Sequence, residues 1–131
     1  MILAIRTDSS EATLQLYEQD SHTMLTEKVW EAGRQLSDQL LSEITALVQS
    51  QGADLQALTG IIVYQGPGSF TGLRIGITVA NTLADSLGVP IAGATGDEWV
   101  QNGFMTLQSQ KLGDFVTPEY GGEANITKPR K

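Results

Sequence analysis

The chain has 131 residues, enough for one hydrophobic core but small for a two-lobed enzyme with a cleft. It contains no cysteine, which excludes disulfides, thiolate metal sites and thiol catalysis, and fits a reducing compartment. Fifteen acidic against eight basic residues give a net charge of −7. Three of those basic residues crowd into the last four positions, Lys128-Pro129-Arg130-Lys131, so the body is more acidic still. Such a body repels a nucleic-acid backbone, whose binding depends on cations that displace counterions, and it argues against independent RNA binding. The basic end reads as a solvated charge run rather than a phosphate contact.

In chain order, Ile2 to Ile5 is a short apolar run followed by turn chemistry in Thr7-Asp8-Ser9-Ser10, and it reads as a buried first strand. Met1 to Ile5 lacks the basic leader and the length of a signal peptide's apolar core, and no run approaches a membrane span. A soluble, cytoplasmic protein with no membrane partner is expected. Ala12, Leu14 and Leu16 alternate with Thr13, Gln15 and Tyr17, and a third β-rich segment runs from His22 to Trp30. Together these segments predict an antiparallel meander of three strands.

From Arg34 the period changes, and Leu36, Leu40, Leu41, Ile44, Leu47 and Val48 fall on one helical stripe that ends at Gly52. Ile61 to Tyr64 is a continuous β-branched and aromatic run, as expected of a strand covered on both faces. It leads into Gly66-Pro67-Gly68-Ser69, which reads as a type II turn with the positive φ on Gly68, and Ser69 or Thr71 can cap the helix that follows. That helix, about Thr71 to Leu87, is apolar around most of its circumference, with Leu73, Ile77, Ala80, Ala84 and Leu87 on one face and Ile75, Val79 and Leu83 on another. So much apolar surface fits either a core helix or one shared with a partner. Gly88-Val89-Pro90 stops it, Ile91 to Ala94 predicts a fifth strand, and Asp97 to Leu107 a short helix. Beyond Ser109 the pattern dissolves into an extended tail, anchored by Phe115, Val116 and Tyr120 if at all. The order predicts an α/β fold: a mixed sheet of about five strands, three in a meander and then parallel ones, with helices packed on it. It matches one lobe of the ribonuclease-H-like, actin-type ATPase architecture.

The undecapeptide from Gly66 to Gly76, GPGSFTGLRIG, preceded by Ile61-Ile62-Val63 and followed by an apolar helix ending in Gly88-Val89-Pro90, resembles the signature of the TsaB (YeaZ) family. Residues 1–108 correspond to that family's first lobe. Residues 109–131 look like the family's closing segment, Val116-Thr117-Pro118-Glu119-Tyr120, joined almost directly to it as the remnant of a reduced second lobe. The resemblance implies a non-catalytic subunit in the synthesis of threonylcarbamoyladenosine at the tRNA adenosine next to the anticodon. It implies a TsaD-like transferase as the catalytic partner and a TsaE-like ATPase that joins them. ATP and magnesium would be used by the wider complex and not by the isolated chain, and tRNA would be met only through the complex. Pairing through first-lobe helices would use Leu36, Leu40, Ile75, Val79 and Leu83, and without the partner a second copy of the chain could cover the same surface.

The rival reading is a small nucleotide-binding phosphotransfer or glycoprotease-like enzyme of the same superfamily. Gly66, Gly68, Ser69 and Arg74 are the candidates for phosphate contact, since N–H groups at a helix start can bind anions, but the lysine and following hydroxyl of a P-loop are missing. Catalytic relatives place an acidic side chain at the end of the first strand, where Arg6 stands here. Asp8 is the available substitute, although capping of its own turn is the plainer role. His22, the only histidine, has no carboxylate cluster nearby in sequence, and Asp97-Glu98 reads as a pair of solvated charges. No catalytic or metal-binding residue is therefore expected.

Overall fold

A computed structural model describes residues 1–119. Five strands form one sheet: β1 (Ile2–Arg6), β2 (Glu11–Tyr17), β3 (Met24–Glu31), β4 (Gly60–Tyr64) and β5 (Ile91–Ala94). Their order is β3-β2-β1-β4-β5, with β1, β2 and β3 antiparallel in sequence and β1, β4 and β5 parallel. This is the ribonuclease-H-like arrangement expected above. Each parallel pairing needs a crossover. Helix α1 (Leu36–Gln49) carries the chain from β3 to β4, and α2 (Phe70–Leu87) carries it from β4 to β5.

The burial of each strand follows its place in the sheet. β4 is buried throughout and β1 from Ile2 to Ile5, because helices cover both faces, and these side chains are correspondingly apolar, with the charged Arg6 only at the partly exposed end of β1. β2 alternates, with Ala12, Leu14 and Leu16 turned under α1 and the intervening residues on the other face. β3 is an edge strand, and Met24, Leu25 and Val29 remain exposed on it. It is tied to α1 by the Lys28–Glu43 ion pair at 2.9 Å and by the Trp30 indole donating to Gln39 at 3.0 Å.

Helices α1 and α2 pack side by side on one face of the sheet, and α3 (Trp99–Leu107) covers β4 and β5 on the other. Leu40, Ile44 and Val48 from α1 meet Leu73, Ile77 and Ala80 from α2 in a single core. Burying each of the larger of these side chains contributes on the order of 1.5–3 kcal/mol. On the α3 side, Phe104 stacks on His22 with ring centroids 3.8 Å apart and meets Tyr17 edge-on at 5.5 Å. The only histidine is thus a ring partner on the surface of α3. No helix among the described residues is long and apolar enough to cross a membrane.

Of the side chains expected to hold the segment after α3, Val116 is buried at 6% exposure, whereas Phe115 is 72% exposed. Tyr120 and the basic Lys128-Pro129-Arg130-Lys131 lie outside the described residues.

Candidate functional site

Two regions concentrate the residues singled out from sequence, the glycine turn between β4 and α2 and the outer faces of α1 and α2. The turn is built by close approach. The positive φ falls on Gly66 (+124°) and not on Gly68, which corrects the type II assignment, and the Gly66–Pro67 peptide bond is cis. Gly68 serves contact instead: a Cβ there would lie 2.4 Å from the Cβ of Asp8. One and two helical turns on, a Cβ on Gly72 would lie 2.3 Å from the Thr7 carbonyl oxygen, and one on Gly76 2.1 Å from Thr7 Oγ1. The three glycines, four residues apart, form a flat stripe into which the β1–β2 turn fits. Hydrogen bonds lock the fit. The Ser69 N–H donates to the Asp8 carbonyl at 2.8 Å, and the Thr7 hydroxyl, 1% exposed, donates to the Gly72 carbonyl at 2.8 Å.

Ser69, not Thr71, caps α2, its hydroxyl accepting from the Gly72 N–H at 3.4 Å. Of the candidate phosphate ligands, Gly66 alone is buried, while Gly68, Ser69 and Arg74 are exposed. Gly68 meets Asp8 and Ser69 closes the helix end on itself. Arg74 stands apart from them, its guanidinium 5.4 Å from the Phe70 ring centroid on the outer side of α2.

The end of β1 is electrostatically closed as well. Arg6 forms a two-pronged ion pair with Asp8, Nε to Oδ1 at 2.9 Å and Nη2 to Oδ2 at 3.0 Å, and lies 3.9 Å above the Tyr64 ring. The hydrogen bonds that Arg6 donates to the Asp8 carboxylate hold its guanidinium above its ordinary pKa, against the opposing effect of burial. Asp8 therefore spends its carboxylate on Arg6, which corrects the expectation that it caps its own turn; its main-chain oxygen is what joins the turn to α2. Asp97 and Glu98 are exposed at the start of α3. Among the described residues, no three His, Cys, Asp or Glu side chains are grouped to hold a metal ion.

The helix faces divide differently from expectation. Leu36, Leu40 and Leu83 are turned inward at 4%, 0% and 7% exposure, packed on the sheet and on each other's helices, so they are core and not surface. Ile75 and Val79 are half-buried on the outer side. With Ser37, Phe70, Thr71, Arg74 and Thr78 they line an open, mainly apolar groove of about 370 Å³ between α1 and α2. Leu41, one helical turn beyond Ser37 and 51% exposed, extends this face along α1, and Phe70 is 55% exposed. The sequence places Leu41 on the α1 apolar stripe, which its exposure corrects, and gives no role to Phe70. Leu41 sits at the margin of the α1 stripe, and Phe70 is the aromatic residue directly after the cap.

A family model described as TsaD: tRNA N6-adenosine threonylcarbamoyltransferase matches residues 30–100, which spans α1, β4, the glycine turn, α2 and β5. The tRNA threonylcarbamoyladenosine biosynthesis protein TsaB of Bacillus subtilis is 35% identical over 94 residues, covering 72% of this chain and 40% of that protein. The solved structure of YeaZ from Pseudomonas aeruginosa superposes with a TM-score of 0.65 at 29% identity, over 72% of this chain and 43% of that one. The chain thus spans less than half the length of these relatives. RuvC of T. thermophilus, solved with a Holliday junction substrate, covers 91% of this chain at a TM-score of 0.53 and 10% identity, a likeness of fold alone. The chain belongs to the family described as tRNA N6-adenosine threonylcarbamoyltransferase, and its similarity there is to the TsaB (YeaZ) proteins.

Proposed function

We propose that this chain acts in the cytoplasm as a non-catalytic subunit in the synthesis of threonylcarbamoyladenosine in tRNA. It pairs with a TsaD-like transferase through the outer faces of α1 and α2. The observation that carries this reading is the open apolar groove lined by Phe70, Ile75 and Val79, which lies on the helices that the family resemblance assigns to pairing. A surface of this kind is stabilised when a second polypeptide covers it. The transferase supplies the chemistry, a TsaE-like ATPase uses ATP and magnesium, and tRNA is met through the assembly, in keeping with the acidic body. The non-catalytic role is supported by Arg6 at the end of β1 and by the commitment of Asp8 to it.

Calorimetry and size-exclusion on the chain mixed with the TsaD-like transferase of the same organism test the pairing. Association is expected, and Val79→Asp weakens it about a hundredfold, because an unpaired charge at a covered apolar face costs roughly 3 kcal/mol. Undiminished binding by the folded variant would move the interface elsewhere. Turnover of ATP by the isolated chain, abolished in Asp8→Ala, would favour the enzyme reading instead.

A further inference from the structure

We propose that residues 116–119 form a strap that holds the glycine turn closed, with Asn81 and Gln65 as its clasps. Asn81, on α2, reads both polar groups of one residue in the strap. Its Nδ2 donates to the Val116 carbonyl at 2.8 Å, and its Oδ1 accepts from the Val116 N–H at 2.9 Å. Gln65, directly before the turn, holds the next stretch. Its Nε2 donates to the Thr117 carbonyl at 2.8 Å, and its main-chain oxygen accepts from the Glu119 N–H at 2.7 Å. Gln65 is itself fixed by its N–H, which donates to the Ala94 carbonyl at 2.8 Å. Its side chain reaches the strap by lying across Gly93, where any Cβ would come within 2.5 Å of it.

The strap also fills space that belongs to the turn. Gly66 is buried because the Glu119 carbonyl oxygen stands 2.0 Å from where a Cβ on residue 66 would be. Val116 contributes the one side chain of the segment that enters the core. The clasps lie on either side of the turn, one at the end of β4 and one on α2, so the strap bridges strand and helix. Because the clasps bind main chain, the strap is held by the geometry of its backbone, with Val116 setting its register. The strap keeps the start of α2 closed, independently of any partner on the opposite side of that helix.

Hydrogen exchange on the full chain tests this, using Asn81→Asp and Gln65→Ala. Aspartate keeps the size of Asn81 but replaces the donor facing the Val116 carbonyl with an acceptor, and alanine removes the bond to Thr117. Both variants are expected to lose about tenfold protection in peptides spanning residues 66–73 as well as in the strap, with the far-UV spectrum unchanged. Faster exchange confined to residues 110–119, with the turn as protected as before, would overturn the proposal. Should Asn81→Asp fail to fold, the same two outcomes in Gln65→Ala decide it.

Discussion

Replacing Gly72 by alanine tests the account of the glycine stripe through the sign of its effect. Gly72 lies in the first turn of α2, where alanine ordinarily stabilises a helix by about 1 kcal/mol over glycine. Here the new methyl would lie 2.3 Å from the main-chain oxygen of Thr7, about an ångström short of ordinary contact. That oxygen cannot rotate away as a side chain would, so either β1 or α2 has to move. Overpacking of this kind costs about 1–3 kcal/mol. The movement also strains two hydrogen bonds, Thr7 hydroxyl to Gly72 carbonyl and Ser69 N–H to Asp8 carbonyl, each contributing about 1 kcal/mol. With the helix gain set against these costs, Gly72→Ala should destabilise the fold by about 2 kcal/mol. Urea unfolding followed by the fluorescence of Trp30 and Trp99 would then show a midpoint lower by about 1 M. A variant as stable as the parent, or more so, would refute the packing role and return the glycines to a flexible loop.

Leu83→Asp should unfold the chain, because Leu83 is 7% exposed and the substitution buries a charge in the core, whereas Leu41→Asp on the open side of α1 should leave the circular dichroism spectrum intact. A double-mutant cycle on Arg6 and Asp8 should give a coupling of about 1 kcal/mol that shrinks with added salt, since both partners are partly exposed. Burial, aided by Glu27, holds the Tyr17 phenol above its ordinary value of 10.0. Its contribution to stability is therefore complete below pH 10.0 and lost as pH rises through the raised value, because the unfolded chain releases the proton first. Denaturant titrations from neutral to alkaline pH should show this loss in the parent and a smaller one in Tyr17→Phe.

The sheet and helices were legible because each element announces itself locally. The strict alternation of Ala12, Leu14 and Leu16, the unbroken apolar run of Ile61 to Val63 and the glycine stop at Gly88 all report burial or backbone geometry within a few residues. The details of the site depend on distant partners. Gly66-Pro67-Gly68 accommodates a positive φ on either glycine, and the choice rests on contacts with Asp8 and Glu119, both far away in sequence. The apolar girth of α2 is evident in the sequence, but which side stays open depends on how α1 and the sheet pack against it, so the pattern alone does not separate the inward Leu83 from the open side that Phe70 joins. Gln65 and Asn81 carry no sequence signal at all, since an amide that binds main chain looks like any polar surface residue.

The most direct test of the proposed role is threonylcarbamoyladenosine formed in tRNA by a reconstituted mixture of the TsaD-like transferase, the TsaE-like ATPase and this chain, measured by mass spectrometry of the nucleosides. The account predicts product when the chain is present, little without it, and a loss in Val79→Asp that parallels the loss of binding. Equal product with and without the chain would contradict it.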